Sequence, residues 1–378
     1  MKTNCGKFSP ANCGTNRLSK QTNKLNFVQT HPSLKRIQEV AFQLQDDLLQ
    51  LDIDALDVSE SVKSYFRYDL TKLSYVSKCN AFILYQLLLN QNTKKSSTII
   101  VDHGAGIGLF SFLVKRMGYT CISHDLFDEY LDGIRKIGTA LNARPDYFVL
   151  GDTNALVAYC HFHDINILGL ASRNVIEHLP DYRAFFNDIA SLGPEGFSIV
   201  ITTSANIHNP LVKRLHLKIH KEYEYKGSRV DMDHPDLDES FSGIQLRSAL
   251  IKNHFPQLDS ETIRRLAILN RSYIEKEILK RTEYYIQSGH WPSPPNESSN
   301  TCDPITGAWV ERLVAYADYQ SAAQAAGFSI EALPGFYNTN YSSFIINCMS
   351  IILNGLLRFK HPFILNLSPF LAMKLTKK

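Results

Sequence analysis

Three glycines at alternate positions, Gly104, Gly106 and Gly108, directly follow a short apolar run that ends at Asp102. A glycine turn between a strand and a helix lets backbone N–H groups come close to a ligand. Dinucleotide sites use the spacing G-x-G-x-x-G, which would need a glycine where this sequence has Leu109. The tighter spacing is the one found at sites for S-adenosylmethionine (SAM), which carries no pyrophosphate. We therefore expect Asp102 and the three glycines to bind SAM, with a nicotinamide cofactor and oxidoreductase activity as the alternative.

Polar residues also follow the next predicted strands. Asp125 comes 21 residues after Gly104, where a carboxylate can accept hydrogen bonds from both ribose hydroxyls. Asp152 and Thr153 end the third strand, where Asp152 can accept a bond from an adenine amino group, and Asn174 ends the fourth. Helix capping is the alternative role of Asp125, and a capped turn is that of Asp152. Because the carboxyl ends of parallel strands share one edge, we expect all four residues to bind the cofactor.

The elements that must hold these residues follow from hydrophobic patterns. Short apolar runs that alternate with helical periodicity predict a parallel sheet with helices on both faces. The predicted strands are 98–102, 120–123, 147–150, 165–171, 197–203, 328–333 and 370–376. The longest predicted helices are 32–49, 61–89, 260–289 and 308–326. We expect a disordered basic tail at 1–30, N-terminal helices at 31–94, a cofactor-binding domain at 95–204 and 318–378, and a helical insertion at 205–317, after the fifth strand.

Residues 98–204 resemble the class I SAM-dependent methyltransferases. The resemblance lies in Val-Asp-His-Gly-Ala-Gly-Ile-Gly at 101–108, His-Asp-Leu at 124–126, Gly-Asp at 151–152 and Asn-Val-Ile-Glu-His-Leu-Pro-Asp at 174–181. The last of these is similar to the fourth-strand region of the ubiquinone-biosynthesis O-methyltransferases, and Ala-Gly-Phe-Ser-Ile-Glu at 326–331 is similar to the family's approach to its sixth strand. The resemblance implies an α/β fold with a Rossmann-like, doubly wound, mostly parallel sheet of seven strands, the last antiparallel. It also implies SAM as cofactor, but it indicates little about the substrate. We expect O-methylation of a small-molecule, lipid or glycan-precursor acceptor.

His178 lies just after the fourth predicted strand. A hydroxyl acceptor needs a base near neutral pH, so we expect His178 to be catalytic. Packing of the Glu-His-Leu-Pro turn is its alternative role. In the quinone O-methyltransferases a carboxylate three residues before the Glu-His pair can help hold a divalent metal, but Asn174 stands there in this sequence. We therefore expect no metal site.

The insertion is too long for a plain loop, and we expect it to form a cap that binds the acceptor. Its aromatic residues include Tyr223, Tyr225, Trp291 and Trp309. An oligomerisation module is the alternative. Four histidines near its start, His208, His216, His220 and His234, include a helical i, i+4 pair without an intervening glutamate. We expect them to lie on a solvated helix face and not to bind metal.

Charge is unevenly distributed along the 378 residues, whose net charge is +3. Residues 1–38 hold seven Lys and Arg and residues 332–378 hold five, with no Asp or Glu in either segment, so the residues between carry −9. An acidic body argues against a nucleic-acid partner. Seven scattered cysteines without a C-x-x-C pair, and no visible secretory signal, favour a reducing, cytoplasmic location. The oligomeric state is left open.

The segment 343–359 carries one polar stripe on an otherwise apolar helix. The stripe consists of Asn347, Ser350, Asn354 and Arg358, at spacings of 3, 4 and 4. We expect a core helix that covers the end of the sheet. The alternative is an interfacial helix on a membrane surface, aided by Lys360, Lys374, Lys377 and Lys378. A non-catalytic scaffold that binds SAM or a membrane is a further alternative for the whole chain.

Overall fold

The computed structural model describes residues 32–89, 98–227, 241–296, 299–359 and 363–378. The predicted disordered tail at 1–30 lies outside these ranges. Three helices precede the sheet: α1 (Leu34–Gln50), α2 (Glu60–Leu70) and α3 (Leu73–Leu88). The predicted single helix at 61–89 is therefore wrong, because the chain turns at Thr71 and Lys72 between α2 and α3. The apolar stripe of α1 is buried, as its periodicity predicts.

Within the described residues, seven strands form one sheet. They are β1 (Ile99–His103), β2 (Thr120–Asp125), β3 (Tyr147–Leu150), β4 (Gly169–Arg173), β5 (Ser198–Thr203), β6 (Phe328–Leu333) and β7 (Leu371–Lys377). Between the first five lie α4 (Leu109–Arg116), α5 (Asp128–Ala140), α6 (Thr153–Phe162) and α7 (Tyr182–Ile189). The strand order is β3-β2-β1-β4-β5-β7-β6. Strand β7 runs antiparallel to both of its neighbours, and the other pairings are parallel. The predicted Rossmann-like fold with an antiparallel last strand is confirmed.

The order of the strands decides where a ligand can bind. From β1 the chain builds outward to β2 and β3, and then returns to add β4 on the other side of β1. The loops after β1 and β4 therefore leave in opposite directions and open a crevice at the carboxyl edge of the sheet. The predicted site residues are placed at this edge.

Two apolar layers hold the sheet. One layer lies between the sheet and α1, α3, α4 and α5, and includes Ile100, Phe112 and Ile134. The other lies against α6, α7 and the later helix α12 (Tyr316–Ala325), and includes Leu170 and Phe186. Residues of the central strands alternate between these layers. Burial on both faces explains why those strands read as continuous apolar runs.

The insertion has a small core of its own. Its helices are α8 (Pro210–Lys226), α9 (Gly243–His254), α10 (Ser260–Leu269) and α11 (Glu275–Ser288). Apolar residues of the last three pack together, and a fully buried Arg247 on α9 pairs with Glu224 on α8. The hydroxyl of Thr301 donates to the same carboxylate at 2.9 Å. The predicted single helix at 260–289 is wrong, because it breaks where Ser272 adopts a φ of 69°.

At the end of the insertion the chain returns to the sheet through an irregular segment at 308–315, where a helix was expected. Helix α12 begins only at Tyr316. Between β6 and β7 lie α13 (Phe344–Leu356) and the short α14 (Ile364–Leu367). No helix in the part of the chain that the structure describes is long and apolar enough to cross a membrane.

Candidate functional site

The glycine turn after β1 is packed too tightly for side chains. Gly104, Gly106 and Gly108 have φ values of 67°, 53° and 83°, a region that disfavours other residues. A Cβ at Gly104 would lie 2.3 Å from Val175 Cγ2, and one at Gly106 would lie 3.0 Å from the hydroxyl of Tyr65. The turn is therefore held between the loop after β4 and helix α2. The contact with Tyr65 gave no signal in the sequence, because the two segments are far apart along the chain.

Asp102 supports the turn from inside. Its Oδ2 accepts hydrogen bonds from the Ser111 backbone N–H at 3.0 Å and from the Ser111 hydroxyl at 2.7 Å. Burial raises the pKa of Asp102 to about 6, although the bonds from Ser111 oppose that change. The carboxylate therefore fills the N-terminus of α4. These contacts hold the turn, and binding of the cofactor by Asp102 stays a prediction.

Asp125 joins β2 to the same turn. Its Oδ2 accepts the Gly106 N–H at 2.8 Å, and its Oδ1 accepts the Phe127 N–H at 3.1 Å. Because a carboxylate oxygen can accept more than one bond, these contacts do not use up its acceptor capacity. The structure thus brings Asp125 and Gly106 together, as their spacing predicted.

The end of β3 contributes one exposed carboxylate and one buried hydroxyl. Asp152 is exposed and caps α6 by accepting the Ala155 N–H at 3.0 Å. Thr153 is buried, and its hydroxyl lies 3.1 Å from His103 Nε2. Burial lowers the pKa of His103 and lowers that of His124 to about 4, so both stacked rings are neutral at pH 7. The hydroxyl of Thr153 therefore contacts a buried histidine, whereas Asp152 lies at the edge of the crevice.

Asn174 follows β4 with a φ of 56°, in the left-handed region that asparagine tolerates best after glycine. Its backbone N–H donates to the Thr202 carbonyl at 2.8 Å. The side chain is exposed, next to the Val175 that contacts Gly104. Asn174 therefore lies on the β4 side of the crevice.

His178 is held by the returning segment of the insertion. Its Nδ1 lies 2.9 Å from the Trp309 carbonyl, and the Trp309 N–H donates to the His178 carbonyl at 3.1 Å. Because a carbonyl oxygen can only accept, Nδ1 must carry the proton. In the neutral ring Nε2 is then the basic nitrogen. Nearby, the Arg312 N–H donates to the Glu177 carbonyl at 3.0 Å.

A cluster of two carboxylates and one imidazole forms here. Glu177, His178 and Glu311 each place a possible ligand atom within 4.8 Å of the others. Glu177 Oε1 accepts the Ser204 N–H at 3.1 Å, and the Ser204 hydroxyl donates to Glu311 Oε2 at 2.7 Å. Glu177 Oε2 is buried without a hydrogen-bond partner. Burial, followed by the charge of Glu311, raises the pKa of Glu177 and favours its neutral form.

His216 completes the cluster from α8. Its Nδ1 lies 2.9 Å from the Val212 carbonyl, and its Nε2 lies 3.2 Å from Glu311 Oε2. Both nitrogens face acceptors, which favours a charged ring. Burial lowers the pKa of His216, but the bond and charge of Glu311 together with the bond to the Val212 carbonyl outweigh burial, so the pKa is raised overall. Burial raises the pKa of Glu311, but the bond and charge of His216, the charge of His178 and the bond from Ser204 together outweigh burial, so the pKa is lowered.

The expected solvated histidine face is therefore wrong for His216 and His220, which are 4% and 1% exposed. The returning segment covers that side of α8, and His220 Nε2 lies 2.8 Å from the Glu311 carbonyl. His208 accepts the Tyr316 N–H, and His234 lies outside the described residues. Sequence reasoning missed Glu311 because it placed this residue within a helix.

Of the insertion's aromatic residues, Trp309 lies at the site and Trp291 does not. The Trp309 indole N–H donates to the Pro180 carbonyl at 3.1 Å, beside the turn that carries His178. Trp291 packs on Tyr285 within the insertion's own core, with ring centroids 4.2 Å apart. Of these two tryptophans, the structure thus brings Trp309 to the turn that carries His178.

No model of a known protein family and no curated protein matches the sequence. The finer resemblance to the ubiquinone-biosynthesis enzymes thus stays a prediction. Similar solved structures include the PH0226 protein of Pyrococcus horikoshii, 19% identical, with a TM-score of 0.30 over 39% of this chain and 64% of that one. Others are the YcgJ protein of Bacillus subtilis (11% identical, TM-score 0.39, 78% and 99% covered) and a SAM-dependent methyltransferase of Archaeoglobus fulgidus (14%, 0.38, 83% and 99%). At such low identities and TM-scores these likenesses carry no information about activity.

Proposed function

We propose that the chain is a SAM-dependent methyltransferase. The observation that carries this proposal is the position of Asp102 at the N-terminus of α4. In dinucleotide enzymes the pyrophosphate binds at that point, attracted by unpaired backbone N–H groups and the helix dipole. Here the Ser111 N–H already donates to a buried carboxylate at 3.0 Å. A second anion would be repelled, whereas a cofactor that carries a positive charge and no phosphate would not.

The residues around the crevice suit such a cofactor. Asp125 would accept hydrogen bonds from ribose hydroxyls, and Asp152 would lie at the adenine end. The backbone of Gly104 and Gly106 would allow close approach, with Asn174 on the opposite side. When bound, SAM supplies a methyl group on a positively charged sulfur, so the protein needs mainly to position and desolvate the two reactants.

We further propose O-methylation with His178 as the base. The Trp309 carbonyl holds the proton on Nδ1, which leaves Nε2 to take the proton of an acceptor hydroxyl. The acceptor oxygen would thereby become the nucleophile for the methyl group that bound SAM would supply.

The expectation of no metal remains part of the proposal. The donor set of the cluster is one that divalent metals accept. However, burial and the charge of Glu311 favour the neutral form of Glu177, and the charge of Glu311 is already balanced by His216 at 3.2 Å. A metal ion would have to replace His216 as the positive partner of Glu311. Proton transfer to His178 leaves the pair of Glu311 and His216 in place.

We also propose that residues 205–317 form the cap over the acceptor, a small molecule, lipid or glycan precursor. The support for this is that the end of the insertion contacts His178 directly and contributes Glu311 to the cluster. A segment that served only oligomerisation would not need to place a side chain at this edge of the sheet.

Calorimetry with SAM and with NAD tests the cofactor. Asp125→Asn should lower SAM affinity at least ~10-fold, because it weakens charge-assisted bonds worth about 1.5–3 kcal/mol. Asp259→Asn is the matched control, since Asp259 caps α10 through backbone bonds that an asparagine can also accept. Tighter binding of NAD than of SAM, or unchanged SAM affinity in folded Asp125→Asn, would overturn the proposal. If the wild type and Asp259→Asn bind SAM but transfer no methyl group to any fraction of a cell extract, the result would favour a non-catalytic scaffold.

A further inference from the structure

Helix α13 turns its apolar residues outward. Phe344, Ile345 and Ile352 are 80%, 71% and 64% exposed, and Met349 is 58% exposed. Two further phenylalanines after the helix, Phe359 and Phe363, are also mostly exposed. Monomeric proteins seldom expose so many large apolar side chains in one place, and such patches mark interaction sites.

The polar stripe faces the protein instead. Of the residues described in α13, Ser350 alone is buried. The Asn354 side chain accepts the Tyr337 N–H at 2.7 Å and donates to the Tyr337 carbonyl at 3.0 Å. The expected core helix is therefore wrong, because the neighbouring backbone offers hydrogen bonds that only the polar side of the helix can make.

This helix lies at the same edge of the sheet as the crevice. Leu333, at the end of β6, pairs with Ala372, and Leu371, at the start of β7, pairs with Thr203 at the end of β5. The connection from β6 to β7 therefore leaves and re-enters the sheet at the carboxyl edge of β5. Residues 334–370 thus extend from the edge that carries the glycine turn and His178.

The segment that leads into α8, and the residue that caps this helix, lie against this connection. Asn206 Nδ2 donates to the Leu365 carbonyl at 2.9 Å, and Asn209 Nδ2 donates to the Ser368 carbonyl at 3.0 Å. The first half of α8 exposes both leucines and basic residues, namely Leu211, Leu215, Lys213, Arg214 and Lys218. We call α13, residues 363–367 and the first half of α8 the docking face.

The charge of the docking face indicates what covers it. Residues 205–221 and 332–378 contain no Asp or Glu, although the protein as a whole holds 37 of them. A symmetric contact with a second copy would bring two basic surfaces together. Anionic lipid headgroups would complement the basic residues, and the acyl region would accept the apolar ones.

The basic residues differ from those expected for a membrane contact. Lys374 donates to the Gln86 carbonyl at 2.7 Å, and Lys377 donates to the Gly193 carbonyl at 2.7 Å. Lys360 lies outside the described residues. The cations of α8 and the exposed Arg358 take the place of these lysines.

We propose that the docking face binds the surface of an anionic lipid bilayer and turns the carboxyl edge of the sheet toward it. The 13 residues of α13 are too few to span a hydrocarbon core of about 30 Å, so the contact is peripheral. Binding of lipid does not depend on the proposed methyl transfer. Together with that function, it would bring the crevice close to acceptors in the lipid bilayer.

Flotation with vesicles tests the proposal on the full chain without SAM. The protein should float with phosphatidylcholine vesicles that contain phosphatidylglycerol, and less with phosphatidylcholine alone or at high salt. Ile345→Glu combined with Ile352→Glu should weaken binding at least ~10-fold, since each change places a charge in the apolar region. Phe162→Glu is the matched control, because Phe162 is 85% exposed at the end of α6, at the opposite edge of the sheet.

Three results would overturn the proposal. One is a wild-type chain that stays unbound, and another is equal binding by the double variant and the wild type. The third is a wild-type dimer that the double variant dissociates, which would make a second copy the occupant. Calorimetry of the double variant with SAM separates this inference from the proposed function, because cofactor binding should be unchanged.

Discussion

Gly104→Ala tests whether the loops after β1 and β4 meet as described. The new methyl group would lie 2.3 Å from Val175 Cγ2, at a residue whose φ is 67°. The left-handed conformation costs a side chain about 1–2 kcal/mol, and overpacking costs about 1–3 more, so we expect a loss of about 2–5 kcal/mol. Gly118→Ala isolates the first part, because Gly118 has a φ of 84° with nothing within 4 Å of its added Cβ. That variant should lose only about 1–2 kcal/mol.

Urea unfolding at equilibrium measures these losses. Adding Val175→Ala to Gly104→Ala should recover the overpacking part, whereas Val175→Ala combined with Gly118→Ala should show simple additivity. Equal losses for the two glycine variants, or no recovery in the double variant, would refute the described contact. Gly104→Ala should also weaken SAM binding more than Gly118→Ala does, since only Gly104 lies at the crevice.

The remaining predictions concern the acid–base cluster and the insertion. His178→Ala should lower methyl transfer ~10²–10⁴-fold with SAM affinity unchanged, measured by turnover and calorimetry; near-normal turnover would assign the ring a packing role. The stability advantage of wild type over Glu311→Gln should peak between about pH 4.5 and 6.5. Below this window Glu311, whose pKa is lowered in the folded protein, becomes protonated and the pair loses its negative charge. Above this window His216, whose pKa is raised in the folded protein, loses its proton and the pair loses its positive charge. Urea midpoints at about pH 3, 5.5 and 9 would show this, and a flat difference would contradict the pairing. Glu224→Leu should cost about 3–5 kcal/mol by urea unfolding, since it leaves Arg247 fully buried without its carboxylate; a loss below about 1 kcal/mol would show that water reaches the pair.

The sheet was predictable because the sequence patterns that define its strands lie in short, continuous segments. Strands buried on both faces must be continuous apolar runs, and their ends must carry the turn residues. The spacing of Gly104, Gly106 and Asp125 follows from one strand–turn–helix unit and the next strand, so it could be read without knowing any distant contact. The structure accordingly places Gly106 2.8 Å from Asp125.

The rest of the site depends on contacts between distant segments. Glu311 was expected in a helix, but the backbone of residues 309–312 bonds to the turn after β4 instead. The same segment buries His216, whose pattern on α8 suggested exposure. The polar side of α13 faces inward because it bonds to Tyr337, a contact that helical periodicity cannot predict. Periodicity shows that a helix has two faces, and only the tertiary partner decides which of them is buried.

The two hydrogen bonds between His178 and Trp309 should form late in folding. These residues are 131 positions apart, and closing so long a loop is entropically costly until both of its ends are structured. The glycine turn and Asp125, by contrast, are assembled within 19 residues. A refolding chain should therefore form the contact between Gly106 and Asp125 early and gain its base last, so that recovery of ligand binding precedes recovery of turnover.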